Sequence, residues 1–285
     1  MLASVAGGNF RPALASISQK YAFTGSKKFA AIIAHARSDK WSALPIGELM
    51  GKIALELEGT PYVASTLELS SDREICSVNL DGLDCVTFFE STLDLARIIK
   101  KGKDSEEDLL KEINHTRYRG GVLGDYPSRL HYTTDWFVDN EKKGVVKILD
   151  NLPGAEPFTQ QVSIMSANPQ SSRQLTAHPE LVAKIKAQED QINSRHLDFI
   201  PLDKIAAVEP LLKTGDIVGV CTNQTGIDIT HTGLIYKDES GTVHFMDASS
   251  KKSVMKVTIE RGPISQSLNW SKHLTGAMFA RPLEP

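Results

Sequence analysis

The sequence predicts an α+β fold, with helices in the first half of the chain and an antiparallel sheet in the last third. In the first half, apolar residues recur every three or four positions, which is the spacing of one helix face. In the last third, short segments rich in β-branched residues alternate with turn-forming residues, which is typical of consecutive strands. Helices followed by consecutive strands favour an α+β domain over alternating βαβ units.

The expected helices are Ala30–Arg37, Ile46–Glu58, Cys85–Lys100, a helix that Ser105 begins, and a helix from Pro179 to about Asn193. Cys85–Lys100 has the clearest pattern, because Val86, Phe89 and Leu93 lie on one face and two lysines followed by Gly102 end it. This helix is therefore expected to pack against the core along most of its length.

The strands expected in the last third are Asp216–Thr222, Thr230–Lys237, Val243–Ala248 and Val254–Ile259. The run Asp-Glu-Ser-Gly at 238–241 has the composition of a hairpin turn. The second and third of these strands should therefore pair antiparallel.

The composition excludes several classes of protein. With 285 residues, 41% of them hydrophobic and 24% charged, the chain is neither disordered nor collagen-like. No apolar run approaches the ~20 residues of a membrane helix, so a membrane-spanning protein is not expected. A formal net charge of −3 argues against nucleic acid as the main partner. The common metal, nucleotide and dinucleotide motifs do not occur, so neither a metal nor a cofactor is expected.

The chain has three cysteines, Cys76, Cys85 and Cys221. A small and odd number of cysteines does not form a disulfide framework. Cys85 lies where a turn-like segment enters the clearest helix. A thiol there meets unpaired N–H groups and the positive end of the helix dipole, which both favour the thiolate. Cys85 is therefore a candidate nucleophile, although a residue that merely packs a helix start gives the same pattern. Cys76 and Cys221 are interpreted as packing residues, which an oxidising compartment would allow to pair.

His231 and Asp247 lie on the two strands that flank the expected hairpin. Counting from a turn near Ser240 places His231 opposite about Ala248, within one register step, so Asp247 is close enough to orient the imidazole. His244 lies nearer the turn and is the weaker third group. A cysteine nucleophile, a histidine base and an aspartate that fixes its tautomer form a known catalytic arrangement. A partly exposed strand histidine without such a role is the alternative.

A second informative segment, residues 117–136, combines three arginines, three tyrosines and a tryptophan, although aromatic residues make up only 7% of the chain. Aromatic faces and arginine forks suit a ligand with sugar or peptide faces and carboxylates. An ordered surface loop with Arg–Asp pairs is the alternative. The residues expected to line a substrate groove are Arg117, Arg119, Tyr126, Arg129, Tyr132 and Trp136.

Taken in order, several motifs resemble the NlpC-type papain-like cell-wall hydrolases, and among them the AmiA-like N-acetylmuramoyl-L-alanine amidases. The resemblance covers roughly residues 45–280. It depends on GTPY at 59–62, LDCVTF at 83–88, RLHY at 129–132 before DW at 135–136, LKTGDI at 212–217, DITHTG at 228–233 and DAS at 247–249.

The resemblance implies a papain-like α+β fold, in which the nucleophile helix packs on an antiparallel sheet and extra helices surround it. It assigns the catalytic roles to Cys85, His231 and Asp247, and it places the aromatic Tyr62 and the acidic Asp84 beside the nucleophile, where we expect them to contact substrate. The nucleophile motif reads DCVT and not the DCSG of typical NlpC-type endopeptidases, which favours the amidase subgroup.

The activity that the resemblance implies is cleavage of the amide between the lactyl group of N-acetylmuramic acid and L-Ala in peptidoglycan fragments, with 1,6-anhydro muropeptides as the expected substrates. A γ-D-glutamyl endopeptidase, a catalytically inactive module that binds cell-wall fragments, and a domain whose cysteines only pack are the alternatives. Digestion products separate the first, and Cys85 reactivity near neutral pH separates the others.

The sequence indicates a single catalytic domain over residues 1–285. Its expected parts are an N-terminal helical part at about 1–58, a core with nucleophile helix and groove at about 59–150, a helical insert at about 151–210 and a C-terminal sheet at about 211–285. The first ten residues, MLASVAGGNF, lack the basic and long apolar regions of an intact secretory signal. A removed signal and a periplasmic or cell-envelope location are expected.

Overall fold

Helices dominate the first half of the chain in the computed structural model, which describes residues 20–285; the first ten residues, and the expectation about a signal, lie outside that range. The elements are β1 (Tyr21–Thr24), α1 (Ser26–Ser38), α2 (Ile46–Leu57), β2 (Cys76–Asn79), α3 (Cys85–Lys100), α4 (Glu106–Arg117) and α5 (Thr133–Lys142). All four helices expected here lie within a few residues of their bounds, whereas α5 and both strands have too little periodicity to be expected.

Short elements fill the middle of the chain and lead into the sheet. Pro179 begins a 3₁₀ turn that continues directly into the longest helix of this region, as its fixed backbone angle favours. The elements are β3 (Val146–Ile148), β4 (Glu156–Pro157), α6 (Ile164–Ala167), α7 (Arg173–Ala177), α8 (Val182–Asn193), β5 (Asp198–Pro201) and α9 (Ile205–Val208).

The last third of the chain forms most of an eight-stranded antiparallel sheet. The elements are β6 (Ile217–Thr222), β7 (Ile229–Lys237), β8 (Val243–Ser249), β9 (Lys256–Ile259), α10 (Ile264–Ser267) and β10 (Leu274–Pro282). The main path of the sheet runs β4-β5-β10-β6-β7-β8-β9, and β3 pairs with β10 outside this path. The four expected strands are present, and a further strand at the C-terminus, β10, occupies a central position between β5 and β6.

Helix α3 is the central helix of the molecule. From Thr87 to Ile99 every residue of α3 is buried, and its apolar side chains share one core with Leu234 of β7 and Met246 of β8. The next residues along these strands, Ile235 and Phe245, belong to a second core on the opposite face of the sheet. The expected α+β fold, with this helix packed on an antiparallel sheet, is confirmed.

Candidate active site

Cys85 is the first residue of α3, and a capping box fixes the start of this helix. The Thr87 N–H donates to Asp84 Oδ1 at 2.8 Å, and the Asp84 N–H donates to Thr87 Oγ1 at 2.9 Å. Asp84 therefore caps the helix with the carboxylate that we expected to contact substrate. Because residues 84 and 87 are close in sequence, local interactions suffice to hold the half-buried Cys85 thiol at the helix start.

His231 and Asp247 form a buried pair, with His231 Nε2 lying 2.6 Å from Asp247 Oδ2. Leu234 pairs with Met246 in the β7–β8 ladder, and continuing this register puts Ser249 opposite His231. The expected register was therefore within one step, and Asp247 reaches the ring diagonally. A side chain at position 233 would clash with the neighbouring strand, since its Cβ would lie 2.4 Å from the Met246 carbonyl oxygen.

The electrostatics of His231 link it to both groups. Burial lowers the pKa of its ring, but the adjacent Cys85 sulfur, which lies within hydrogen-bonding reach, and the Asp247 carboxylate outweigh burial and raise that pKa to about 10. Because Nε2 bonds to Asp247, Nδ1 remains for the Cys85 sulfur. The site therefore brings together a thiol, an imidazole that faces it and a buried aspartate that orients the imidazole.

Tyr62 lies beside Cys85, as expected. Its N–H donates to the Met255 carbonyl oxygen at 3.0 Å, and its backbone bridges to Leu83, two residues before the nucleophile. Burial, followed by the negative charges of Cys85 and Asp84, raises the pKa of the Tyr62 hydroxyl to about 12. The Tyr62 hydroxyl is therefore protonated at neutral pH.

Two side chains next to His231 were not expected from the sequence. The Trp270 ring meets the imidazole edge to face with centroids 5.8 Å apart, and it stacks on Phe245. Lys251 Nζ lies 5.2 Å from the centroid of the Trp270 ring. Both residues belong to irregular segments after β8 and α10, where no periodic pattern points to a site. The rarity of tryptophan, with three in the chain, was the one available signal.

His244, the weaker third group in the sequence interpretation, is engaged elsewhere. Its Nε2 lies 3.0 Å from Asp238 Oδ2 and its Nδ1 lies 3.2 Å from the Glu260 carbonyl oxygen. This His–Asp pair lies at the hairpin turn, which leaves Asp247 as the partner of His231.

The structure corrects the interpretation of residues 117–136 as a substrate groove, first for Arg117 and Trp136. Their exposed fractions are 2% and 1%. Arg117 Nε and Trp136 Nε1 both donate to the Glu90 carboxylate of α3, at 2.8 and 3.1 Å. Since a charge buried without a partner would cost several kcal/mol, Glu90 explains why both donors point inward. They brace α3 and have no surface for a ligand.

Arg129 and Tyr126 are also buried. Arg129 forms ion pairs with Glu68 and with Glu74, the latter at 3.0 Å, and its guanidinium lies 5.0 Å from the Tyr126 ring centroid. The Tyr126 hydroxyl donates to Glu68. This network ties the segment to the loop before β2, so these side chains too are scaffold and not groove surface.

The remaining two groove residues behave differently from each other. Tyr132 is buried, and its hydroxyl donates to Glu189 of α8 at 2.7 Å. Arg119 keeps partial exposure and makes a two-pronged contact with Asp135 at 2.6 and 3.2 Å. Arg119 therefore forms an Arg–Asp pair, as expected for the alternative of an ordered surface loop, although its partner Asp135 is buried.

The other two cysteines are not part of this site. Cys76 and Cys221 are buried and free, and burial raises the pKa of both thiols. Within residues 20–285, no group of three or more His, Cys, Asp or Glu side chains could hold a metal ion. Over the same range, no helix is both long and apolar enough to cross a membrane.

A thiol at a helix start, an imidazole and a buried carboxylate in this order define a site with the groups needed for nucleophilic acyl transfer. The family model described as "AmiA-like: N-acetylmuramoyl-L-alanine amidase-like" matches residues 52–266. The chain therefore belongs to this amidase-like family.

Solved structures agree with this assignment. An N-acetylmuramoyl-L-alanine amidase from Bacteroides uniformis is 30% identical, with a TM-score of 0.77 over 84% of this chain and 99% of its own. The family match and this similar structure together support a cell-wall amidase. A Legionella pneumophila protein of the DUF1460 family is 18% identical over 90% of this chain and 95% of its own, with a TM-score of 0.65, and shows the fold alone. A comparison with curated protein sequences finds no match.

A Bacteroides fragilis protein, provisionally named a xylanase, is 32% identical over 80% of this chain and 98% of its own, with a TM-score of 0.73. Glycoside hydrolysis generally uses two carboxyl groups that flank the scissile bond. The site of the present chain pairs a thiol with an imidazole instead, and Asp247 is committed to that imidazole. The site therefore does not fit a glycosidase.

Proposed function

We propose that this protein is a cysteine amidase that cleaves the bond between the lactyl group of N-acetylmuramic acid and L-Ala in peptidoglycan fragments. The observation that carries the proposal is the contact of Cys85 with His231, which is itself fixed by Asp247, in a chain of an amidase-like family. We further propose 1,6-anhydro muropeptides as the preferred substrates and the periplasm or cell envelope as the location, since peptidoglycan fragments arise there.

In the proposed mechanism, His231 accepts the Cys85 proton and the thiolate attacks the lactyl carbonyl carbon. The oxyanion that forms is stabilised by the Cys85 N–H, which helix geometry leaves without an intrahelical partner. The Tyr62 hydroxyl is a second donor, because it stays protonated beside Cys85. His231 then donates its proton to the departing L-Ala amine, and the carbon–nitrogen bond breaks. Water, deprotonated by His231, hydrolyses the thioester and releases the lactyl carboxylic acid.

The test is digestion of defined muropeptides by the wild-type protein and by Cys85→Ala, with products identified by mass. Wild type should release the intact stem peptide beginning with L-Ala, and Cys85→Ala should release none. Cys76→Ala is the matched control, because it removes a buried thiol outside the site and should retain activity. Paired substrates with anhydro and reduced sugar ends test the substrate preference.

Each alternative gives a different result in this experiment. Release of a peptide that lacks L-Ala and D-Glu would identify a γ-D-glutamyl endopeptidase. Binding without release, together with Cys85 alkylation no faster than that of a free thiol, would identify an inactive binding module.

A further inference from the structure

A small cleft of about 140 Å³ opens beside His231 and Asp247. Ser249, Lys251 and Trp270 also line it. Clefts of about 310 and 430 Å³ on other faces border neither Cys85 nor a histidine. The small cleft is therefore a part of the molecular surface where a bound group would touch the proposed catalytic histidine.

Two buried polar atoms in the walls of this cleft lack partners in the described part of the chain. They are Ser249 Oγ and Asp247 Oδ1, in residues that are 1% and 2% exposed. Leaving a buried polar atom unpaired costs about 1–3 kcal/mol, so most buried polar atoms in proteins have a hydrogen-bond partner. A turn of either side chain toward the cleft would let the serine hydroxyl donate to a bound acceptor, or the carboxylate oxygen accept from a bound N–H.

The position of the cleft indicates which half of a substrate it would hold. During acyl transfer the acyl group is bonded to the Cys85 sulfur, whereas the departing amine takes its proton from His231. The cleft is bordered by His231 and not by Cys85. A group in it would therefore belong to the amine product.

The charge of the region indicates what that product carries. A second open cleft, of about 450 Å³, shares Lys251 as a wall with the first and is also lined by Lys256 and Arg261. Glu260, which lies 2.7 Å from Lys251 Nζ, is the carboxylate in this lining. In this second cleft three cations therefore face one carboxylate, which favours an anionic chain that continues past Lys251 and away from His231.

We infer that the two clefts form the leaving-group subsite, which takes a peptide amine product carrying free carboxylates, and that Lys251 selects the carboxylate nearest the scissile bond. This inference rests on the proposed function. It makes Lys251 a specificity-determining residue: its ammonium, held over the Trp270 ring, exchanges part of its contact with Glu260 for the ligand carboxylate.

The test uses two muropeptides that differ only in the α-carboxylate of the residue after L-Ala, which is free in one and amidated in the other. Wild type should prefer the free carboxylate by about tenfold in kcat/KM, the size expected for one charge-assisted hydrogen bond. Lys251→Met should lose this preference, because its kcat/KM should fall for the free-carboxylate substrate and change little for the amidated one. Lys252→Met, a change at the exposed neighbouring lysine, should keep it.

Glu260→Gln provides a change in the opposite direction, because it releases Lys251 from its ion pair and should lower KM for the free-carboxylate substrate. A preference that persists in Lys251→Met, or a wild-type enzyme that cleaves both substrates equally, would overturn the inference while leaving the amidase intact. Failure of the wild type to cleave either substrate would instead refute the proposed function, so the two failures are distinguishable.

Discussion

Replacing Asp247 with asparagine tests whether this carboxylate sustains the charge of His231. The substitution keeps the size of the side chain but removes its negative charge from a contact of 2.6 Å in a buried place. In the wild type, burial opposes the charged ring, and the Cys85 and Asp247 charges together raise the pKa of His231 to about 10. The neutral asparagine side chain would leave only the contribution of Cys85 to that rise.

The size of the effect follows from the loss of one adjacent charge. An opposite charge at this range shifts a pKa by about 1–3 units. Because the raised pKa keeps the imidazolium present below about pH 10, the activity of the wild type should fall as the pH rises through that value. In Asp247→Asn the alkaline limb should move down by about 1–3 units. Near neutral pH, loss of a charge-assisted hydrogen bond should lower kcat/KM by about 10- to 150-fold.

The assay is the pH profile of kcat/KM on a muropeptide. Asp238→Asn is the matched control, because Asp238 forms an equivalent pair with His244, at 3.0 Å, away from Cys85. Its profile should coincide with that of the wild type. An Asp247→Asn profile with an unmoved alkaline limb would refute the view that Asp247 holds the proton on His231.

Asp84→Ala should lower the free energy of unfolding by about 1 kcal/mol in urea titrations through loss of the helix cap, whereas Asp84→Asn should lower it by much less. Tyr62→Phe should reduce kcat about tenfold or more with little change in KM, measured by steady-state kinetics, if its hydroxyl binds the oxyanion. Trp136→Phe should destabilise the fold by about 1–3 kcal/mol through the unpaired Glu90 acceptor yet leave KM unchanged; a raised KM would restore the groove interpretation. Gly233→Ala should lower the melting temperature by several degrees, since its Cβ would clash with the backbone of β8; an unchanged value would contradict this.

The nucleophile position could be predicted because its determinants are local. Asp84 and Thr87 cap the helix within four residues of chain, and the apolar face that follows is a regular repeat. The proximity of His231 to Asp247 was also accessible, because a short hairpin fixes the register of its two strands to within one step. In both cases a short segment joins the interacting residues, a helix turn in the first and a hairpin in the second, and the sequence constrains the geometry of each.

Whether the Arg- and Tyr-rich segment at 117–136 forms a ligand surface or a buried scaffold could not be predicted. Arginine and aromatic residues suit a ligand surface and a buried ion-pair scaffold equally well, and only the position of their carboxylate partners separates the two. Arg117 meets Glu90 from 27 residues away, and Tyr132 meets Glu189 from 57 residues away. These contacts depend on how α3, α4 and α8 pack, which no local pattern encodes.

The central strand β10 and the surroundings of His231 were likewise decided by tertiary structure. β10 pairs with β3, β5 and β6, elements that lie far away in the chain, so its position follows from assembly of the sheet. Trp270 meets the imidazole and Lys251 lies over the Trp270 ring, and both come from irregular segments. The sequence by itself determined the helix start, the candidate nucleophile and its hairpin partners, because short-range geometry governs them. Only the folded chain decided which charges are buried and where a substrate has room, because burial depends on contacts between distant segments.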